Sequence, residues 1–415
     1  MVLSLSDREQ ALIASVQAVQ DRMEQELIDL CDLNSGSTHL EGIRSVQQRL
    51  VALAAPLGAE VEFVPLPERE DVAADGSVRR SQVAPLLKLT KHREANRKIL
   101  FSGHCDTVFP KDHHFQSCCR DGELIRGPGT ADMKGGLLVM LHALMAFEKS
   151  DQAGALGWEI LINPDEEVGS LSSAAELAAA ARRADLGMVF EPALEDGTMA
   201  GARKGSGNFT LIVRGRSAHA GREFQAGRNA VTALARVMSR LDQLNGQRDG
   251  VTINVAGLSG GAPNNVVPDF ALCRFNIRVP SPDDQLWTEA SLQRLLEEAG
   301  QQEKDGISLE LHGGFGRQAK PMTPELESFF ESLRSCGESL EQSVSWRATG
   351  GCCDGNNLAA AGLVNIDTLG VRGANLHSDQ EYMIASSLSE RAALSALLLH
   401  RLASGRVPFP GRNDQ

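Results

Sequence analysis

Lys98-Ile-Leu-Phe-Ser-Gly-His104-Cys105-Asp106-Thr-Val108 is the stretch that decides how this chain folds. Its first half, Lys98 to Ser102, is a short apolar run that reads as a strand, and two side chains able to bind metals or protons follow where it ends. Residues two apart on an extended backbone point the same way, so His104 and Asp106 share a face. One can ligate while the other orients it, although such a pair taken alone is more often a hydrogen-bonded loop. Downstream the pattern alternates: Gly135 to Phe147 reads as helix, Gly157 to Ile162 as strand, Leu171 to Ala181 as helix and Leu186 to Phe190 as strand. This alternation predicts an α/β sheet with helices on both faces, whose sites lie beyond the carboxyl ends of its strands.

Upstream, two capping-box patterns open helices: Ser6-x-x-Glu9 before a periodic run to about Leu33, and Thr38-x-x-Glu41 before a run ending at Gly58. β-rich runs at Ala59 to Leu66 and Leu86 to Thr90 flank a polar stretch, Glu68 to Arg80, that predicts a hairpin loop. Past Arg203 the order becomes strand (Asn208 to Arg214), helix (Arg228 to Leu244), strand (Val251 to Gly257), strand (Ala271 to Val279), helix (Gln285 to Ala299) and strand (Ile307 to Leu311). A β-α-β-β-α-β order is that of a ferredoxin-like α+β unit. The expected division is an α/β domain over 1–202 and 315–415, interrupted by an inserted unit over 203–314.

The chain has 415 residues, 42% hydrophobic and 23% charged, with a formal net charge of −13. That charge repels polyanions, which argues against nucleic acid or an anionic membrane as partner. No basic segment followed by an apolar stretch opens the chain, and no apolar run approaches a membrane span, so a cytoplasmic protein is expected. Eight cysteines include the adjacent pairs Cys118-Cys119 and Cys352-Cys353 but no C-x-x-C, so they predict small buried side chains rather than a zinc or redox site. Any bound metal would need harder ligands.

Such ligands are present. Gly127-Pro-Gly-Thr-Ala-Asp132-Met-Lys134-Gly-Gly136 opens a helix. A phosphate loop is excluded because Lys134 sits between Met133 and Gly135 instead of between Gly and Ser or Thr. A tight turn explains the glycines but not Asp132. Asn163-Pro-Asp165-Glu166-Glu167-Val-Gly169 sets three acids in a row at a strand end, where they repel one another unless cations neutralise them. Glu191 follows the next strand in the same position, and His377 lies in a loop before the final helix. Each alone has an ordinary reading as a solvated turn; the repeated placement beyond strand ends does not. Two histidines and three carboxylates form a mixed N/O set suited to zinc, or less selectively to cobalt or manganese. An odd number of carboxylates fits one acid shared by two ions.

These motifs resemble the two-zinc family of aminoacylases, acetylornithine and succinyl-diaminopimelate deacylases and glutamate carboxypeptidases, over essentially the whole chain. The resemblance implies that His104, Glu191 and Asp132 hold one zinc, and Asp132, Glu167 and His377 the other. It also implies that Glu166 is the general base, that Asp106 orients His104, and that the peptide after Asp132 is cis. The inserted unit becomes a lid and dimerisation domain. Its motif Gly215-Arg-Ser-Ala-His219-Ala-Gly221, continuing to Gly227-Arg-Asn-Ala230, looks most like the glutamate carboxypeptidase branch. Asn265 and Arg278 match substrate contacts of the family. Where the family often has glycine and serine, Cys352 and Cys353 depart from the pattern.

The expectation that follows is hydrolysis of an amide beside a free carboxylate. A zinc-activated water would attack, Glu166 would carry the proton to the leaving nitrogen, and His219 would stabilise the oxyanion from a neighbouring subunit, which requires a homodimer. Arg278 would fork onto the substrate carboxylate. Arg203, Lys204 or Arg317 could meet a second carboxylate, making glutamate the expected leaving amino acid. An acetylornithine deacetylase or general aminoacylase is the neighbouring alternative, and a catalytically silent metal-stabilised binding protein the distant one.

Overall fold

The computed structural model describes residues 3–303 and 306–410. Its larger sheet has six strands in the order Glu60–Val64, Leu86–Lys91, Gly157–Asn163, Lys98–His104, Leu186–Val189, Asn365–Ile366. The last four run parallel to one another, while the first two pair antiparallel at one edge. Buried on both sides, the parallel strands read as continuous apolar runs rather than alternating ones. The helix Gly135–Phe147 is apolar nearly all round because it is buried between this sheet and the final helix, Ser387–Ser404. The opposite face is covered by Ala174–Arg183 through Leu177, Ala180 and Ala181.

A second sheet is antiparallel, with strand order Thr252–Gly260, Phe270–Val279, Gly205–Arg214, Ser308–Arg317. That is the ferredoxin-like order. Its helices, Ala230–Asp242 and Pro282–Gln302, pack on one face over an apolar core that includes Leu211, Leu234, Phe275 and Leu292. Among the described residues no helix is long and apolar enough to cross a membrane.

Three local expectations change. The Ser6 capping box forms, but the helix it opens stops at Gln17 and a second begins at Gln20–Cys31. The break frees Gln20 to donate to Ala385 O and accept from Ser389 N, tying the segment to the final helix. The Thr38 box does not form: the helix Leu40–Ala54 is preceded by His39 with no side-chain cap, and His39 instead contacts Asn34. The strand expected to end at Leu311 runs on through Gly313, Gly314 and Gly316 to Arg317. Glycines usually weaken a strand, but Gly313 has φ of +92° and a Cβ there would lie 2.1 Å from Asn208 O, so the close strand approach requires glycine. The expected hairpin at Glu68 to Arg80 is present as Arg69–Val72 paired with Val78–Ser81.

Candidate metal centre

Three neighbouring parallel strands deliver the site. His104 ends the central one, Asp165 to Glu167 follow the strand ending at Asn163, and Glu191 follows the strand ending at Val189. Asp132 arrives from the turn Thr130–Lys134, whose peptide between Asp132 and Met133 is cis. This turn reaches the strand ends because the following helix starts with glycine: a Cβ on Gly136 would lie 1.9 Å from Phe190 O. His377 comes from the loop between Gly373–Ala374 and Tyr382–Ile384.

The two oxygens of Asp132 face opposite ways. Oδ1 lies 3.0 Å from His104 Nε2, which is itself 3.8 Å from Glu191 Oε2. Oδ2 lies 3.2 Å from His377 Nε2, which is 3.2 Å from Glu167 Oε2. Two groups result, His104-Asp132-Glu191 and Asp132-Glu167-His377, each able to surround a metal ion and sharing Asp132. The donor chemistry fits zinc: each group offers one imidazole nitrogen and two carboxylate oxygens.

The electrostatics support that fit. Burial raises Glu166, Glu167 and Glu191, with Glu167 pushed up to about 7 by burial and then by Asp132. Burial opposes the charging of His104, yet Asp106, Asp132 and Glu191 hold its pKa well above the ordinary value. Asp132 and Glu167 push His377 up to about 11. The shared acid Asp132 is different: burial acts to raise it, but His104 and His377 outweigh burial and hold it below the usual carboxylate range. Crowded carboxylates that either take up protons or lean on imidazolium partners are ones beside which cations are favoured.

The supporting shell is only partly the expected one. His104 Nδ1 is 3.0 Å from the backbone oxygen of Asp106 and 3.4 Å from its carboxylate, so the main chain is the nearer orienting partner. The Asp106 carboxylate accepts from Glu166 N, Glu167 N and Ser37 Oγ, which fixes the turn carrying both acids. Glu381, which the sequence reading passed over, accepts from the backbone amides of Gly129, Ala131 and Asp132 and holds that turn. Its only signal was an acid four residues after His377.

The seven residues from the strand ends and turns therefore converge. Arg278 faces the same cleft, of about 550 Å³, together with Glu166, Glu167, Cys352 and His377. Its Nε donates to Asn276 Oδ1 and its Nη1 to Cys352 Sγ at 3.1 Å. His219 and Asn265 do not line this cleft or the adjoining one and are exposed. The candidate cations for a second carboxylate are already engaged. Arg203 is bonded to Asp367 and Arg317 to Glu166, both buried, while Lys204 donates to Gly250 O. Five of the eight cysteines are buried, and Cys119 is exposed.

Paired imidazole and carboxylate groups around a shared acid, placed at the carboxyl ends of an α/β sheet, define the class of metal-dependent hydrolases. The sequence profile of Peptidase family M20/M25/M40 matches residues 100–401, and the chain belongs to that family of peptidases and amidohydrolases. Carboxypeptidase G2 of Pseudomonas sp. (strain RS-16) is 27% identical over 320 residues, 75% of this chain and 75% of its own length. The succinyl-diaminopimelate desuccinylase of Verminephrobacter eiseniae is 27% identical over 341 residues, 76% of this chain and 82% of its own. An M20 family metallo-carboxypeptidase from Sulfolobus solfataricus shares the fold, with a TM-score of 0.70 at 16% identity over 91% of this chain and 98% of its own.

Proposed function

We propose that this chain hydrolyses the amide bond of an N-acyl amino acid or short peptide with a free C-terminal carboxylate. The observation that carries this reading is the presence of Arg278 in one cleft with Glu166 and with Glu167 and His377 of the second ligand group, beside an adjoining cleft lined by Asp132 and Glu191. His104, Asp132 and Glu191 would hold one zinc ion, and Asp132, Glu167 and His377 a second, with cobalt or manganese as substitutes. Bound zinc supplies Lewis acidity and lowers the pKa of water to about 7. Glu166, half-buried in the cleft wall and raised above the usual carboxylate range by partial loss of solvent, takes the proton of the attacking water and returns it to the leaving nitrogen. Arg278 forks onto the substrate carboxylate, and because Nε is already held by Asn276 it does so at little conformational cost.

The unit over 203–314 acts in this reading as a lid and dimerisation domain of a cytoplasmic homodimer. His219 and Asn265 are exposed and absent from the lining of their own chain's clefts, which suits service in a partner's site. Glutamate is the expected leaving amino acid, on the resemblance at Gly215 to Ala230; Arg203, Arg317 and Lys204 are already engaged and are not assigned to its side chain.

Glu166→Gln tests the base. Metal content should stay intact while kcat falls by at least about 1,000-fold, and surviving turnover removes the assignment. A panel of N-acetyl, N-formyl and N-benzoyl amino acids and dipeptides identifies the scissile class. Within it, kcat/KM for N-acyl-leucine equal to or above that for N-acyl-glutamate would discard the side-chain preference.

A further inference from the structure

Arg317 closes the last strand of the four-stranded sheet and is 5% exposed. Its Nη2 lies 2.8 Å from Glu166 Oε1 and donates to Glu166 O and to Ser170 Oγ, each at 3.1 Å. Its Nη1 is 3.3 Å from Asp354 Oδ1. Asp354 is fixed in turn, since Asn163 Nδ2 donates to it at 2.6 Å and Ser170 Oγ also donates to it. A buried guanidinium held by the buried Asp354, the half-buried Glu166 and a main-chain oxygen cannot swing out to a substrate without leaving the Asp354 charge unpaired. Its planar fork grips instead both the backbone and the carboxylate of a single residue.

We infer that Arg317 is a positioning residue for Glu166, so that the four-stranded unit sets where the base points. Arg317 pairs across the sheet with Ser206, close to where the chain enters that unit. A change in the angle between the two sheets therefore moves the anchor of the base directly. The network Asn163, Ser170, Asp354, Arg317 spans both sheets and ends on one carboxylate.

The inference rests on Glu166 being the base, and the test separates the two. In metal-loaded Arg317→Met, kcat should fall about 100-fold, the scale of a misplaced catalytic group, while KM stays within about threefold and metal content is unchanged. Arg317→Lys, which keeps the charge but not the fork, should recover part of the loss, and millimolar guanidinium should rescue Arg317→Ala but not Glu166→Gln. Urea midpoints of Glu166→Gln, Arg317→Met and the double variant should be non-additive, as expected for groups in contact. Additive midpoints, or a rise in KM with kcat unchanged, would overturn the inference and make Arg317 a substrate-reading or merely structural residue. Turnover surviving in Glu166→Gln would instead remove the base while leaving the measured coupling intact.

Discussion

The two sheets handle charge in opposite ways. Under the six-stranded sheet charged groups are buried: His104, Asp106, Asp132, Glu191, Arg203, Lys320, Asp367, Glu9 and Arg401. In the four-stranded unit the helix-packed core is apolar and its charges lie at the margins: Arg236 pairs with Glu303 with its side chain 54% exposed, and the buried Arg317 sits at the strand end that meets the other sheet's site. Burying charge is costly unless it is paired or takes an ion, so an excess of buried acids marks chemistry, whereas an exposed histidine such as His219 marks nothing until a partner surface is supplied. A cleft can therefore be found within one chain, but a residue that acts across subunits cannot.

The sharpest way to break this contrast is Asp132→Ala. Both ligand groups lose their shared acid, so metal content should fall well below that of the unmutated protein and turnover by at least about 10,000-fold, the scale of losing one member of a catalytic unit. Retention of full metal content, measured by elemental analysis, would mean that the two groups do not share a ligand.

His219→Ala probes the exposed side. Loss of an oxyanion donor costs about 100- to 1,000-fold in kcat. If His219 serves the neighbouring subunit, mixing inactive His219→Ala with inactive Glu166→Gln should restore about a quarter of full activity, because each mixed dimer then contains one intact site. Absence of complementation after subunit exchange would place His219 outside catalysis in trans.

Stability should follow the same division. Glu9 and Arg401 are buried and 2.8 Å apart, so Glu9→Gln, which strands the guanidinium, should cost about 3 kcal/mol by urea unfolding while leaving kcat unchanged. Burial acts to raise the Glu9 pKa, but hydrogen bonds from Arg401 and Ser6 outweigh it and hold the carboxyl below its usual 4.5. The folded state thus binds this proton more weakly than the unfolded state. Its contribution is full above the unfolded value and is lost as pH falls through the lower folded value, so the gap between wild type and Glu9→Gln should narrow in acid. A constant gap would assign the loss to packing. Smallest of all, Arg236→Ala should cost no more than about 1 kcal/mol, since its side chain is mostly exposed.

Much of the site was legible in the sequence because direction is local. A strand's period of two, the place where an apolar run ends and the turn that follows put His104, Glu166, Glu167 and Glu191 beyond strand ends, and a glycine turn puts Asp132 at a helix start, before any contact is known. Segment boundaries were less legible. Thr38-x-x-Glu41 satisfies a capping pattern yet loses to His39, and the strand read as ending at Leu311 runs on to Arg317, with close approach to Asn208 demanding glycine at Gly313.

The sequence by itself determined the two main sheet types, the order of the helices and strands that build them, and the supply of imidazole and carboxylate donors, but not the small sheet of Cys119–Asp121, Leu124–Arg126, Gly373–Ala374 and Tyr382–Ile384 that carries the His377 loop. Only the tertiary structure decided that the two Asp132 oxygens face different histidines, that Glu381 holds the Asp132 turn, and that Arg317 reaches Glu166 across 151 residues of chain. The reason is physical. Periodicity fixes which way a side chain leaves its own segment, but Coulomb and hydrogen-bond energies depend on distances between segments, and those are set by strand order and sheet packing.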